Sequence, residues 1–302
     1  MNIKTQHYAP PIKITTVMLM AFLTFSSNFV YADSTLVWMG CGISKKAYMG
    51  KMAKIYTERT GMEFRMAGGG ATKGIRLTKS GKAHVGGSCR FALLQPDGTP
   101  ESSEDVRMIH VAWDALAVVV NKDNPIDDIS LKELTDIFQG KIVNWQEIGG
   151  PDRPVQLLVR EGTISGVGRL FRQLVLNNLT YEYPKSASFF ASSGPLERNL
   201  QKRKSLAAGI AITGISSAKK TKLKVLTIDG VGPTPENIAR GDYPLFRPLY
   251  LVIDKNADVE AKKFVLFVLG EEGQEIIASQ GTVNRQQGKT LEKLWQAKNY
   301  PL

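Results

Sequence analysis

The stretch VRMIHVAWDALAVVVN at residues 106–121 is a long run of β-forming residues, and a second long run, YPLFRPLYLVID, follows at residues 243–254. An ordinary strand has about five or six residues, so each run is long enough to pass from one sheet region into another. We therefore predict that both runs cross between two α/β lobes. One lobe then contains residues 33–115 together with 246–302, and the other contains residues 116–245.

Shorter β-rich segments around these two runs alternate with helical segments. Residues 34–39, 64–67, 83–87 and 155–160 are β-rich, and each segment ends in or leads into a turn that contains glycine. Between the first two, the apolar residues of 44–60 recur at i, i+3, i+4 and i+7, which predicts a helix. This order is typical of parallel sheets flanked by helices. In such a fold a ligand lies at the carboxyl ends of the strands, here in the cleft between the lobes.

The composition is that of a globular protein, with 43% hydrophobic and 22% charged residues in a chain of 302. This profile excludes disordered, collagen-like and coiled-coil chains. The 39 Lys and Arg exceed the 28 Asp and Glu and give a net charge of +11, which permits attraction to anions without choosing among them. The basic stretch at 202–222 lacks interleaved aromatic residues, so we expect a solvated face and no nucleic-acid partner.

Residues 1–32 have the pattern of a secretory signal peptide. Lys4 and Lys13 supply positive charge around the start of an apolar stretch at 14–29, and the small residue Ala32 ends the segment. A transmembrane anchor is the alternative, but the apolar stretch is shorter than the roughly 20 residues that a spanning helix needs. We therefore expect cleavage near Ala32 and export of the remaining chain.

Two polar loops at predicted strand ends have the residues of anion-binding turns. The segment GGGATKG at 68–74 opens a predicted helix with free backbone N–H groups, although its spacing fits neither a Walker loop nor a dinucleotide-binding loop. The segment REGTISG at 160–166 has the same order, and Arg160 and Ser165 add side-chain donors. A purely structural turn is an equally good interpretation of either loop alone. Together, with one loop in each lobe, they favour an anion site.

The chain has two cysteines, Cys41 and Cys89, and each follows a predicted strand of the first lobe. In an exported protein a disulfide between them can persist. Three interpretations are open: a disulfide, two inert buried thiols, or two thiols that bind a thiophilic ligand such as arsenite or a soft metal ion. If the strands are parallel, both cysteines lie at the cleft, and a bond between them requires Cα atoms about 4.4–6.8 Å apart.

The patterns of other chemistries are missing from the sequence. The three histidines have no metal-ligand spacing, and neither a nucleophile elbow nor an HExxH helix occurs. We therefore expect no enzymatic activity, no metal site and no cofactor.

Five segments of the chain resemble the periplasmic phosphate-binding proteins of ABC transporters. They are AGGGATKGIRL at 67–77, GGSCR at 86–90, AWDALAVVVNKDNP at 112–125, LTDIFQGKIVNWQEIGGPDRPV at 134–155 and IDGVGPTPENIARGDYPLFRPLYLV at 228–252. The resemblance extends over nearly the whole chain after residue 32. It implies the type II periplasmic-binding-protein fold, a two-lobed clamp in which each lobe is a mainly parallel sheet flanked by helices and two hinge crossings join the lobes.

The resemblance also implies that the cleft closes on a desolvated oxyanion, which backbone N–H groups, hydroxyls and an arginine hold. Matched motif by motif, the contact residues would lie in four loops. They are Cys41, Gly42, Ile43, Gly70, Ala71, Thr72, Cys89, Arg90, Arg160, Ser165 and Gly166. The implied partners are a small inorganic anion and an ABC permease or a sensor in the inner membrane, and we expect the binding protein to act as a monomer.

The chain departs from the family at up to four hydroxyl positions. Cys41 with Gly42, Ala71, Cys89 and Val167 stand where the family has serine or threonine. A hydrogen bond to a charged group contributes about 1.5–3 kcal/mol, so these losses lower the expected affinity for phosphate by orders of magnitude unless other donors compensate. Both arginines and the backbone donors remain.

The sequence thus predicts an exported, non-enzymatic solute-binding protein that captures phosphate or a related inorganic oxyanion for an ABC importer. The alternative keeps the fold but uses Cys41 and Cys89, either to bind a thiophilic ligand or to act as a periplasmic sensor or redox partner. The state of the two cysteines bears directly on this choice.

Overall fold

The computed structural model describes Met1 and residues 35–95, 98–102, 104–202, 208–298, 300 and 302. The segment predicted as a signal peptide lies outside the described residues, apart from Met1 itself. In the described part of the chain, no helix is both long enough and apolar enough to cross a membrane.

Strands and helices alternate along the described chain. The strands are β1 Thr35–Gly40, β2 Glu63–Gly68, β3 Val85–Ser88, β4 Val106–Val120, β5 Asp128–Ile129, β6 Gln156–Arg160, β7 Ser188–Phe190, β8 Gly209–Gly214, β9 Lys224–Val225, β10 Thr227–Ile228, β11 Phe246–Asp254 and β12 Val283–Asn284. The helices are α1 (the consecutive segments Gly42–Ser44, Lys45–Met49 and Gly50–Thr60), α2 Ala71–Lys79, α3 Leu131–Phe138, α4 (Gly166–Phe171 with Arg172–Leu176), α5 Ser193–Lys202, α6 Ile215–Ala218, α7 Pro235–Arg240, α8 Val259–Leu269, α9 Glu271–Ser279 and α10 Lys289–Ala297.

The described strands form a ten-stranded sheet and a separate pair, β5 with β10. The order in the large sheet is β2-β1-β3-β11-β4-β8-β6-β7, with β9 and β12 also paired to β4. β1 runs parallel to β2 and β3, and β6 runs parallel to β7 and β8. The long strands β4 and β11 are antiparallel to their neighbours and lie between these two parallel groups.

The strand β4 changes its partners in the middle. Ala115 is the last residue that pairs with β11, opposite Phe246, and Leu116 is the first that pairs with β8, opposite Gly214. One strand therefore links the two parallel groups, through β11 on one side and β8 on the other, in the way that the length of the run at 106–121 suggests. The residue boundaries of the two lobes remain a prediction.

A buried ion pair joins β4 to β11 close to this change of partner. Arg247 donates to Asp114 Oδ2 at 2.8 Å, and the Ser216 hydroxyl donates to Asp114 Oδ1 at 2.5 Å. The side chains of Arg247 and Asp114 are 0% and 1% exposed. Gly214 is required beside them, because a Cβ there would lie 2.5 Å from Arg247 Nη2. Removal of one partner would leave an uncompensated buried charge. A shift of β11 against β4 would separate the two side chains at the same cost, so the pair favours the observed register.

Two elements differ from the sequence prediction. The helix expected from Ser44 begins at Gly42 and includes a wide π turn at Lys45–Met49. The sequence also has a β-rich run at 223–228, which predicts a single strand, but the structure has two short strands there, β9 and β10, in different sheets. Leu226 between them is fully buried and donates its N–H to Val118 O at 3.0 Å. This contact turns the chain from one sheet to the other, and no local pattern shows it.

His110 on β4 is partly buried, and aromatic side chains pack against it. Its Nε2 lies 3.0 Å from Ala112 O, and its ring packs edge-on against Trp113. Its Nδ1 lies 3.8 Å from Glu292 Oε1. Burial, with a smaller contribution from the positive charge of Arg285, lowers the pKa of His110 from 6.5 to about 4.

We expect this histidine to make the protein less stable in acid. Between its folded pKa of about 4 and the usual 6.5, the unfolded chain binds a proton that folded His110 does not, so the free energy of unfolding falls as the pH falls. Lowering the pH from about 7 to about 4.5 should remove about 2 kcal/mol through this group. Urea denaturation of wild type and His110→Gln at both pH values isolates this contribution, because the carboxylates titrate in both proteins. An equal loss in the two proteins would contradict it.

Candidate functional site

A cavity of about 430 Å³ lies where several strands of the large sheet end. The loops that line it include those after β1, β2, β3, β6 and β7, which form the carboxyl edge where a parallel sheet binds its ligand. Of the described residues that line it, two are charged, Lys46 and Arg160, and both are cationic. The lining residues are Cys41, Gly42, Ile43, Lys46, Gly68, Gly69, Gly70, Ala71, Cys89, Arg160, Ser165, Gly166, Val167, Ala191, Ser192, Ser193, Gly194 and Ser217.

Four helices begin at this cavity. The first residues of α1, α2, α4 and α5 are Gly42, Ala71, Gly166 and Ser193, and all four line it. The first N–H groups of a helix have no partner inside the helix, and the helix dipole adds partial positive charge at the same end. A cavity surrounded by four helix N-termini is therefore suited to an anion.

The residues before these helices decide how many N–H groups remain for a ligand. The side chain of Cys41 before α1 accepts no hydrogen bond from the helix, and Gly70 before α2 has no side chain that could accept one. The first N–H groups of both helices are therefore available. Ser165 before α4 differs, because its hydroxyl oxygen accepts a hydrogen bond from Gly168 N at 3.0 Å. The hydroxyl hydrogen of Ser165 can still be donated to an anion.

Cys41 and Cys89 form a disulfide at the wall of the cavity. Their Cα atoms are 6.2 Å apart, inside the range expected for a bonded pair, and the two residues are 5% and 1% exposed. The bond joins the loops after β1 and β3. Gly166 after β6 packs directly against it, because a Cβ at this position would collide with Cys89 Sγ. The disulfide therefore lies between loops from both parallel strand groups.

The disulfide overturns two of the three interpretations of the cysteines, the inert buried thiols and the thiol-bound ligand. The described residues contain no free cysteine. They also contain no group of three or more His, Cys, Asp or Glu side chains that could hold a metal ion. A thiophilic ligand binds to thiolates, and here both sulfur atoms are bonded to each other. The hypothesis of a thiol-bound arsenite or soft metal ion is therefore not supported.

Arg160 is the last residue of β6 and extends its guanidinium to the cavity wall. It donates to Phe190 O at 3.2 Å, to Ala191 O at 2.7 Å and to Ser193 Oγ at 3.1 Å. A guanidinium has five N–H donors, so two remain for a ligand. Burial lowers the pKa of Arg160, but an arginine remains charged throughout the physiological range. Arg160 therefore both positions the loop before α5 and offers charge and donors to the cavity.

Arg90 and Thr72, which the family motifs place at the ligand, are not among the residues that line the cavity. Arg90 is 2% exposed and donates to Thr72 Oγ1 at 2.7 Å and to Ile164 O at 3.0 Å. It also forms an ion pair with Glu101 at 2.9 Å. Burial lowers the pKa of Arg90, and the bond to Glu101 opposes this shift. Glu101 occupies the guanidinium, so Arg90 holds the loops after β3 and before α4 together.

The other nine predicted site residues line the cavity, and the sequence analysis missed several more. The additional polar residues are Lys46, Ser192, Ser193 and Ser217. The segment 191–194 follows β7 and opens α5, so its ASSG composition offered the same signal as the loop at 160–166. Lys46 and Ser217 lie inside helices, where no local pattern distinguishes them from surface residues.

The sequence profile of the family described as PBP superfamily domain matches residues 39–272. The phosphate-binding protein PstS of Bacillus subtilis (strain 168) is 27% identical to this chain over 253 residues, which cover 83% of this chain and 81% of that protein. Protein SphX of Synechococcus elongatus is 32% identical over 180 residues, which cover 54% of this chain and 52% of that protein.

Two of the solved structures with a similar fold are named for phosphate. A putative phosphate ABC transporter substrate-binding protein from Clostridium perfringens, with bound phosphate, has a TM-score of 0.73 and 25% identity, and the match covers 83% of this chain and 99% of that one. An ABC-type phosphate transport receptor from Vibrio cholerae has a TM-score of 0.63 and 25% identity, over 83% of this chain and 100% of that one. These matches confirm the predicted type II periplasmic-binding-protein fold.

Proposed function

Because this chain belongs to the PBP superfamily, we propose that it is the solute-binding component of an ABC importer and that it captures phosphate or a related inorganic oxyanion. Two of the proteins it resembles are described as a phosphate-binding protein and as a phosphate ABC transporter substrate-binding protein with bound phosphate. The observation that carries the proposal is the convergence of four helix N-termini and two cationic side chains on one cavity.

Donors elsewhere in the cavity offset the loss of family hydroxyls. Ser192 and Ser193 bring two hydroxyls to the lining, and Lys46 brings an ammonium; the hydroxyl hydrogen of Ser217 is already donated to Glu197 Oε1. A hydroxyl donates one hydrogen bond and an ammonium donates up to three. The substitutions in the loops at 41–42, 71, 89 and 167 therefore do not exclude a tightly bound oxyanion.

The two-lobed clamp supplies the mechanism of capture. Lining residues come from both predicted lobes, with Gly42 and Ala71 in residues 33–115 and Arg160 in residues 116–245. Closure of the lobes would remove water from the anion and strengthen every contact to it. A permease of the inner membrane would then receive the ligand from a periplasmic, monomeric binding protein that has lost residues 1–32.

Calorimetry on protein purified from the periplasm tests the proposal. We expect one phosphate or related oxyanion, such as arsenate or sulfate, to bind per chain, and the anions of this panel to compete for one site. Absence of binding to every anion in the panel would refute it.

Gly42→Leu should weaken binding by filling part of the cavity. A Cβ at Gly42 would meet no atom within 4 Å, so the larger side chain enters open space where the ligand binds. We expect the affinity to fall at least about tenfold, which is about 1.4 kcal/mol, with little change in melting temperature. Gly50→Leu, in the same helix and outside the cavity lining, is the matched control. Unchanged affinity in Gly42→Leu would place the anion elsewhere.

A further inference from the structure

We infer that Lys46 contacts the bound anion directly and that Glu197, behind it, holds its ammonium at the cavity wall. The inference rests on the proposed function and extends it to two residues that none of the family motifs includes. It also identifies a charged hydrogen-bond donor that partly replaces the missing hydroxyl donors.

Lys46 brings an ammonium from α1 to the cavity. Its side chain is 35% exposed, and its Nζ donates to Glu197 Oε2 at 3.1 Å and to Ser217 Oγ at 2.5 Å. Because an ammonium has three N–H donors, one remains for a ligand. Lys220 donates to Lys46 O at 2.6 Å, so the backbone at this turn of α1 is also fixed.

Glu197 in α5 is a buried carboxylate whose two oxygens both accept hydrogen bonds. Its side chain is 3% exposed. Oε1 accepts from the hydroxyls of Thr213 and Ser217 at 2.5 Å each, and Oε2 accepts from Lys46. A buried carboxylate is strongly destabilised without a cation beside it. Glu197 therefore keeps the ammonium close to the cavity wall, where a free lysine would extend into water.

The pair joins the two parallel strand groups at the same time. Lys46 comes from the helix after β1, whereas Glu197 and Ser217 come from the helices after β7 and β8. Any relative movement of the two groups that opens the cavity would separate these side chains. The ion pair and the contact between Lys46 and the anion therefore form in the same closed arrangement.

The charge distribution favours an anion. Lys46 and Arg160 place two positive charges on the cavity wall, and Glu197 compensates one of them without lining the cavity itself. The bound anion thus meets N–H and O–H donors and cations, and the carboxylate stays behind the ammonium. Loss of the Lys46 charge should therefore reduce affinity for the anion more than loss of a distant surface lysine.

Calorimetry with the panel anion that wild type binds most tightly tests the role of Lys46. Lys46→Met keeps the apolar stem and removes the ammonium, and we expect about thirtyfold weaker binding, or about 2 kcal/mol. Lys45→Met is the matched control, because the neighbouring Lys45 donates to Met66 O at 3.2 Å and is not among the lining residues. The control should bind within about twofold of wild type.

A second pair of variants separates the ligand contact from the stability of the ion pair. Lys46→Met leaves Glu197 buried and unpaired, whereas K46M/E197Q removes both charges and keeps an acceptor for Thr213 and Ser217. We expect the double variant to melt close to wild type and still to bind about thirtyfold more weakly. Glu197→Gln alone keeps the ammonium but removes the carboxylate that holds it at the cavity wall, so we expect its affinity to lie between those of wild type and K46M/E197Q. Wild-type affinity in Glu197→Gln would overturn the positioning role of Glu197.

The outcomes distinguish this inference from the proposed function. Wild-type affinity in K46M/E197Q would overturn the role of Lys46 and leave the oxyanion function intact. Wild-type protein that binds none of phosphate, arsenate and sulfate would overturn both.

Discussion

Arg160→Ala should lower the affinity for the bound anion by about a thousandfold, because Arg160 supplies the one guanidinium among the described residues that line the cavity. Two of its N–H groups remain after the contacts to Phe190, Ala191 and Ser193. A hydrogen bond to a charged partner contributes about 1.5–3 kcal/mol, so two of them contribute about 4 kcal/mol, which corresponds to about a thousandfold. Isothermal calorimetry with phosphate measures the change.

Two further variants show whether the loss is specific. Arg160→Lys keeps the charge but loses the two-pronged geometry, so its affinity should lie between those of wild type and Arg160→Ala. Arg240→Ala removes an exposed arginine that pairs with Asp242 outside the cavity, and it should leave affinity unchanged. Wild-type affinity in Arg160→Ala, with the fold intact, would remove this residue from the binding site.

Local sequence patterns predict most of the fold because they report local properties. The long β-rich runs at 106–121 and 243–254 become the long strands β4 and β11. Helices begin at the glycine turns that follow β1, β2 and β6. The pairing of Asp114 with Arg247 is different. The two residues are 133 positions apart, and only the register of β4 against β11 brings them together.

The candidate site likewise contains residues that local sequence patterns predict and residues that depend on contacts elsewhere in the fold. Backbone donors at 70–71 and 165–166 follow from a strand, a small polar loop and a helix start, which is a local pattern. The role of Arg90 does not follow, because Glu101, which occupies its guanidinium, lies further along the same connection between β3 and β4, and only the folded loop brings the two side chains together. Lys46 is missed for a related reason: its partner Glu197 is 151 positions away and brings it to the cavity only in the folded chain.

The disulfide between Cys41 and Cys89 should be a major source of stability. It closes a loop of 48 residues, and restriction of such a loop in the unfolded chain contributes about 4 kcal/mol in the chain-entropy model. We expect the double variants C41S/C89S and C41A/C89A each to lose about 4 kcal/mol of unfolding free energy, with melting temperatures lower by about 10 °C. Urea and thermal denaturation measure these losses. Either variant with wild-type stability would contradict the role of the bond.

The same two variants separate the two consequences of having cysteines at these positions. Both lack the disulfide, but C41S/C89S restores hydroxyls at two of the family positions beside the helix N-termini of the cavity. Each hydroxyl that reaches the anion contributes about 1.5 kcal/mol or more, so C41S/C89S should bind phosphate at least about tenfold more tightly than C41A/C89A at a temperature where both are folded. The serine variant would then be less stable than wild type and still a good binder. Equal affinities in the two variants would show that the side chains at 41 and 89 stabilise the cavity wall without contacting the ligand.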